Sequence, residues 1–270
     1  MSEIDKEQKI QIEDLKKIQI EILNVFTDFC EKNNINYWLS FGTLIGAIRH
    51  KGYIPWDDDI DIAMLREDYD KLINAFNLEN SRYKFYCYEN NKDFLYPYGK
   101  VLDTNTILYE PDKKGNKIAV NIDVFPFDNA PEDEKRKKRM FRKNILLRKI
   151  DTIRITHNPR GNVFRKMLVH TIRLVLKIFP KDFFVKKMIN NSKKYLNLKT
   201  NKIGVFDGYS VVTIEKDLVS NCIEGEFEGK KYKIPSGYDK FLKCYYGDYM
   251  KLPPKEERVP HHKFEAYFVE

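Results

Sequence analysis

Cysteine is scarce in this chain. Its four cysteines, Cys30, Cys87, Cys222 and Cys244, stand far apart and form no C-x-x-C pair. That spacing argues against a zinc site and against a disulfide scaffold, and it fits a reducing compartment. Long apolar runs are missing too: no stretch approaches the roughly 18 uncharged apolar residues of a membrane-crossing helix. The first residues are charged and lack the apolar segment of a secretory signal, so none is expected. There is no low-complexity segment and no repeat of fixed period. Acidic residues are almost absent from one stretch. Residues 135–187 hold 18 Lys/Arg against Asp151 and Asp182, a net +16 in a chain whose total is +8. A basic block on an otherwise acidic body is a statement about partners rather than about fold.

What the chain does have is apolar and aromatic mass: 42% apolar residues, with 18 Phe and 17 Tyr among 270. That is enough for one sizeable core. Ile4 to Lys32 has the spacing of an amphipathic helix, with Leu15, Ile18, Ile22, Phe26 and Phe29 on one face. Asn33-Asn34 ends it, and Ile35 to Phe41 is expected to be the first strand. Further strands are expected at Tyr83 to Tyr88, Pro97 to Leu102, Thr106 to Tyr109 and Ile118 to Phe127, with a helix from Arg66 to Phe76. A turn is expected over Asp112 to Asn116. Residues 132–198 read as three basic helices, Glu132 to about Thr156, Val163 to Phe179 and Lys181 to Leu196. The middle one sets Phe164, Leu168, Ile172, Val175 and Phe179 on one side and Arg165, Lys166, Arg173 and Lys177 around the rest. Either it is a core helix with a solvated face, or its one-sided charge makes it a membrane-surface element. No nucleic-acid module accompanies the block, so nucleic acid is not expected as a partner. A hairpin over Phe227 to Pro235 and a helix over Tyr238 to Tyr246 complete the tail.

The most informative stretch is Tyr37 to Met64, YWLSFGTLIGAIRHKGYIPWDDDIDIAM. An aromatic run is broken by Gly42-Thr43, which starts a short apolar helix and leads through a Gly/Pro loop to the acids. In a strand, alternate side chains share a face, so Asp59 and Asp61 point one way while Ile60 and Ile62 point the other. Two such carboxylates repel and raise each other's pKa unless a cation compensates them, and hard divalent cations take oxygen ligands. An acidic loop ahead of a strand is the plain alternative for so short a pattern. Asp123 lies between Ile122 and Val124 in an apolar run, where an ionised carboxylate is expensive to bury unpartnered. It is either a third acid for the same site or a solvated residue of an edge strand. Asp128, past Pro126, is read as a turn or helix-cap residue.

The string FGTLIGAIRHKGYIPWDDDIDIAM, together with NIDVFPFD and the C-terminal YDKFLKCYYGDYMKLPPKEERVPHH, resembles the LicD family. These are phosphotransferases related to the fukutin-type ribitol-phosphate transferases. The resemblance implies a single α/β domain over 1–270: a mixed sheet of nucleotidyltransferase type flanked by helices, with the basic helices at 132–198 inserted into it. It also implies magnesium (or manganese) held by Asp59, Asp61 and Asp123, with donor phosphates at Gly42 and Thr43 and Arg49 as a charge clamp. Asp123 would complete the metal site or take the acceptor's proton. The implied reaction moves phosphocholine from CDP-choline to a sugar hydroxyl of a cell-surface glycan precursor, of teichoic acid or lipopolysaccharide type. Tyr53 and Trp56, with neighbouring Tyr37 and Trp38, are candidates for the aromatic wall that a quaternary ammonium needs. Other CDP donors, carrying ribitol or glycerol phosphate, remain open. So do a cytidylyltransferase, which would release pyrophosphate, and a non-catalytic membrane-docking module. Fukutin-type relatives belong to the secretory pathway, so a chain with no signal segment is expected in the cytoplasm, peripheral at the inner face of the membrane. His261 and His262 are read as surface residues or as phosphate or metal contacts.

Overall fold

A computed structural model describes residues 8–79, 82–109, 117–155, 162–259 and 265–269. Its centre is β8, Asn121–Asn129. On one side β8 pairs in parallel with β3, Asp61–Leu65, and β3 pairs antiparallel with β2, Trp38–Leu39. On its other side, the start of β8 meets β5, Gly99–Asp103, which carries β4, Tyr83–Tyr86. The end of β8 meets β9, Lys202–Gly204, which carries β10, Ile214–Glu215. The result is a mixed seven-stranded sheet among the described residues. Its central strands bury Ile62, Ala63, Met64, Val101, Ile122 and Val124 completely or nearly so.

Helix α1, Ile12–Lys32, packs along this core because its apolar residues recur every three or four positions: Leu15, Ile18, Ile22, Phe26 and Phe29 are all buried. It starts later than the apolar pattern suggested. Lys9–Ile10 (β1) is a strand, paired with β13, Glu265–Phe268, so backbone pairing to the chain's other end overrides local periodicity. β13 continues onto β6, Thr106–Tyr109, and β7, Lys117–Ile118, to make a second sheet. The expected first strand is also shorter. Only Trp38–Leu39 pairs; Phe41 takes a left-handed φ of 44° and turns the chain into α2, Phe41–Ile45. A single wider turn, Gly46–His50, extends α2, and α3, Arg66–Glu79, follows β3.

Between β8 and β9 stand α4, Glu134–Ile155, α5, Val163–Leu176, and α6, Phe183–Ser192. α4 and α6 are joined by a buried polar knot: Asn144 Nδ2 donates to the Phe206 carbonyl at 2.6 Å, and Asn191 Nδ2 donates to Asn144 Oδ1 at 2.8 Å. α5 covers only part of its apolar side: Leu176 is buried, and Ile172 and, past the helix end, Phe179 are half-buried. Phe164 is 82% exposed, Ile178 beyond its end 74%, and Met167, Leu168, Leu174 and Val175 are exposed with them. No helix among the described residues is long and apolar enough to cross a membrane. α7, Asp217–Ser220, the hairpin of β11, Cys222–Phe227, and β12, Lys230–Pro235, and α8, Tyr238–Tyr246, close the fold.

Asp128 is a correction to the turn or cap reading. It lies within β8, fully buried, where the Arg66 guanidinium grips it with two hydrogen bonds of 2.7 and 2.9 Å. A carboxylate can stay in the core when a planar fork of donors satisfies both oxygens. The expected turn at Asp112 to Asn116, and His261 and His262, lie outside the described residues.

Candidate active site

The acids come together, though not all on a strand. β3 begins only at Asp61; Asp57 to Ile60 form the loop before it. The alternation nonetheless runs back through that loop. Asp58, Ile60 and Ile62 are buried and Asp57, Asp59 and Asp61 half-buried, though the buried Asp58 carboxylate still lies close to its two neighbours. Asp57 therefore joins the site, a residue the pair reading left out although the same period of two extended by one step finds it. Asp61 and Asp123 stand opposite each other on neighbouring parallel strands, and the Asp123 amide donates to the Ile60 carbonyl at 2.9 Å.

Crowding of like charge dominates the electrostatics. Burial pushes Asp57 up to about 7, helped by Asp59, with which it shares a hydrogen bond. Burial also holds Asp61 well above the ordinary carboxylate range, with Asp59, Asp123 and Asp57 all pushing the same way. Carboxylate oxygens of Asp57, Asp58 and Asp59 lie within 4.8 Å of one another. An all-oxygen donor set under mutual repulsion fits a hard divalent cation, which would replace that repulsion with ligation.

Lys100 is the one strong local counter-charge. It stands opposite Asp123 in the β5–β8 register; its ammonium contacts the Asp123 carboxylate and donates to Asn121 Oδ1 at 2.9 Å. Both side chains of the pair are largely buried. Nothing in the surrounding run YPYGKVLD marked this lysine, because its role comes from strand pairing.

The Gly42-Thr43 turn lies against the acids. A side chain at Gly42 would put its Cβ 2.7 Å from Asp57 Oδ2, so glycine lets that carboxylate sit against the turn. Thr43 is buried, and its Oγ1 accepts the Asp61 amide at 2.8 Å. The hydroxyl thus fixes the start of β3 through its oxygen, and its own O–H remains a donor. Arg49 is also engaged. Its Nε donates to His50 Nε2 at 2.9 Å, and an Nη donates to the Tyr249 carbonyl at 2.5 Å. Burial and the nearby Arg258 lower its pKa. The Arg258 guanidinium lies 5.5 Å from the Trp56 ring centroid. Arg49 was expected from the sequence, whereas Arg258, brought to Trp56 from the far end of the chain, was not.

Of the four candidates for the aromatic wall, two lie in the core, and Tyr53 and Trp56 are half-buried. Tyr37 and Trp38 are core residues, 1% exposed, packed on Phe26 and Phe127. Tyr53 donates its hydroxyl to Gln19 Oε1 at 2.9 Å and has the Lys16 ammonium 4.5 Å from its ring centroid. Trp56 already carries Arg258. Like Tyr53, which Asp59 and Asp57 also affect, Tyr246 at the end of α8 senses the acids. Burial, then Asp61, Asp57 and Asp59, raise its phenol pKa, and its ring remains 46% exposed.

A family profile described as LicD/FKTN/FKRP, nucleotidyltransferase domain, matches residues 34–152, the segment that holds every acid named above. The lipopolysaccharide cholinephosphotransferase LicD of Haemophilus influenzae is 33% identical over 271 residues, covering 97% of this chain and 99% of that protein. The chain belongs to the LicD family. An uncharacterized protein of Rickettsia typhi is 36% identical over 106 residues, 38% of this chain and 32% of its own. Human ribitol 5-phosphate transferase FKRP is 47% identical over 38 residues, 14% of this chain and 8% of its own. Membership places this LicD-family chain among the transferases.

Proposed function

We propose that the chain transfers phosphocholine from CDP-choline to a sugar hydroxyl of a cell-surface glycan. The observation that carries this reading is the facing pair Asp61 and Asp123, with Asp57 and Asp59 beside them, inside a chain similar end to end to a lipopolysaccharide cholinephosphotransferase. The acceptor oxygen forms a bond to the choline-bearing phosphorus, the bond from that phosphorus to CMP breaks, and CMP leaves. Asp59, Asp61 and Asp123, joined by Asp57, would hold magnesium or manganese, which when bound neutralises charge on the donor phosphates. Asp123 sits between this set and Lys100, placed to take the acceptor's proton while the ammonium holds its carboxylate in orientation. Arg49 and Arg258 supply positive charge for the donor diphosphate, and the half-exposed ring of Tyr246 supplies a face for the quaternary ammonium. Short-range likeness to a ribitol 5-phosphate transferase supports a second reading, with CDP-ribitol as donor and the same acids at work.

The exposed apolar stripe of α5 supports a membrane-surface role on the side of anionic lipid. Its apolar residues would enter the interface, and Lys166, Lys177 and Lys181, exposed beside them, would meet the headgroups.

Thermal melting tests the donor. Binding to the folded state alone raises the melting temperature. With magnesium present, CDP-choline is expected to raise it more than CDP-glycerol or CDP-ribitol, and Tyr246→Ala to narrow the difference. Equal or greater stabilisation by the polyol donors would exclude phosphocholine as the transferred group.

A further inference from the structure

A cavity lies past the Lys100 end of the acid row; none of those acids lines it, and it takes no part in the chemistry above. It encloses about 640 Å³ between the β4–β5 and β6–β7 strands and α4. That volume is in the range of a small-molecule site, roughly 300–1,000 Å³. Tyr86, Phe94 and Tyr96 line it, and their rings contact one another in series, with centroids 6.4 and 4.9 Å apart. The series reaches the site: the Lys100 ammonium, bonded to Asp123, lies 5.4 Å from the Tyr96 ring centroid.

Polar groups line the same space. Arg148 is nine-tenths buried; one Nη donates to the Tyr209 hydroxyl at 2.8 Å, but its Nε–H has no partner. A buried donor left unmade carries a desolvation penalty that a ligand oxygen would remove. Apolar faces plus a few fixed donors suit a sugar ring, which has C–H faces and a rim of hydroxyls. A trimethylammonium group would meet the same rings, but beside the like charges of Arg148 and Lys117. Arg148 and Lys117 both line the cavity, and Asp151 is already paired with Arg154 at 2.6 Å.

We infer that this cavity is the acceptor subsite, holding a sugar unit of the glycan so that its free hydroxyl reaches Asp123. The inference rests on the transferase reading. The cavity lies on the Lys100 side of Asp123, whereas the Gly42 turn touches Asp57 ahead of β3, so acceptor and donor would approach the acids from different sides.

Saturation-transfer NMR on the full chain tests it, with methyl glycosides of hexoses and N-acetylhexosamines as one set of probes and choline as the other. Transfer to glycoside ring protons is expected, and it should disappear in Ala119→Phe, which fills the cavity from its wall, and weaken in Tyr86→Ala. Unchanged melting temperatures certify that both variants fold. The glycoside with the strongest transfer then serves as acceptor, and Ala119→Phe should raise its KM about tenfold with a much smaller change in the KM for CDP-choline. Absent glycoside transfer in the wild type overturns the inference, as does transfer that survives in Ala119→Phe. Choline transfer lost in the same variant also overturns it, by giving the cavity to the donor head group. If the wild type releases no CMP from CDP-choline at all, the transferase reading fails, and the glycoside arm still decides the cavity.

Discussion

Asp61 and Asp123 face each other across the parallel pair β3 and β8, one residue directly opposite the other, with the Lys100 ammonium on Asp123 from the far strand. Three strands thus bring one acid, a second acid and a base into a row across the sheet. The loop before β3 adds Asp57 and Asp59 to the same side.

Removing charge from this row should stop turnover without unfolding the protein. Asp59→Asn and Asp61→Asn are each expected to lower kcat on the order of a thousandfold, the scale of losing a major transition-state charge stabiliser. Steady-state CMP release at saturating magnesium, alongside circular dichroism, checks it. Near-normal turnover in either variant would remove that residue from the metal set.

Lys100 acts through Asp123, so it is a positioning residue. Lys100→Met leaves the Asp123 carboxylate buried without its counter-charge and should lower kcat about a hundredfold. Lys100→Arg should restore part of that loss, because a cation again faces Asp123. A kcat equal in the Met and Arg variants would mean that the ammonium contributes shape and not charge.

The Arg66–Asp128 pair belongs to the fold, not to the chemistry. Asp128→Asn removes the bidentate anion from the buried Arg66 guanidinium, leaving it Asp70 at 3.7 Å, and should destabilise the protein by about 3 kcal/mol. Urea unfolding measures this directly. A change below about 1 kcal/mol, the scale of an exposed pair, would contradict the buried assignment.

Much of this was legible in the sequence, for physical reasons that differ by element. The alternation of acid and apolar residues from Asp59 to Ile62 encodes which side chains face the site, although β3 begins only at Asp61. The periodic face of α1 and the turn at Gly42 were legible because local geometry alone dictates them. Lys100 was not, since its meaning arises from the β5–β8 register, and Arg258 was not, since it reaches Trp56 across some 200 residues of chain. Tyr37 and Trp38 misled because aromatic content near a site looks the same whether the rings are core or wall. The apolar positions of α5 were visible, yet their exposure depended on α4 and α6 packing with each other instead.

The α5 stripe makes a prediction about lipid. Each basic residue brought near an anionic surface contributes roughly 1 kcal/mol, and the attraction weakens with salt. The full chain should sediment with phosphatidylserine-containing vesicles at low salt and much less at high salt, and Phe164→Ser with Leu168→Ser should reduce binding at both. Equal recovery with neutral and anionic vesicles at every salt concentration would leave α5 without a lipid partner.

The transfer itself is the central claim. CDP-choline labelled in the choline methyl groups, magnesium and lipopolysaccharide lacking phosphocholine are incubated with the full chain, and CMP and labelled glycan are counted together. The account predicts one CMP for each choline that enters the glycan, with both lost in Asp61→Asn. Release of CMP without label in the glycan, or equal transfer from CDP-ribitol, would contradict it.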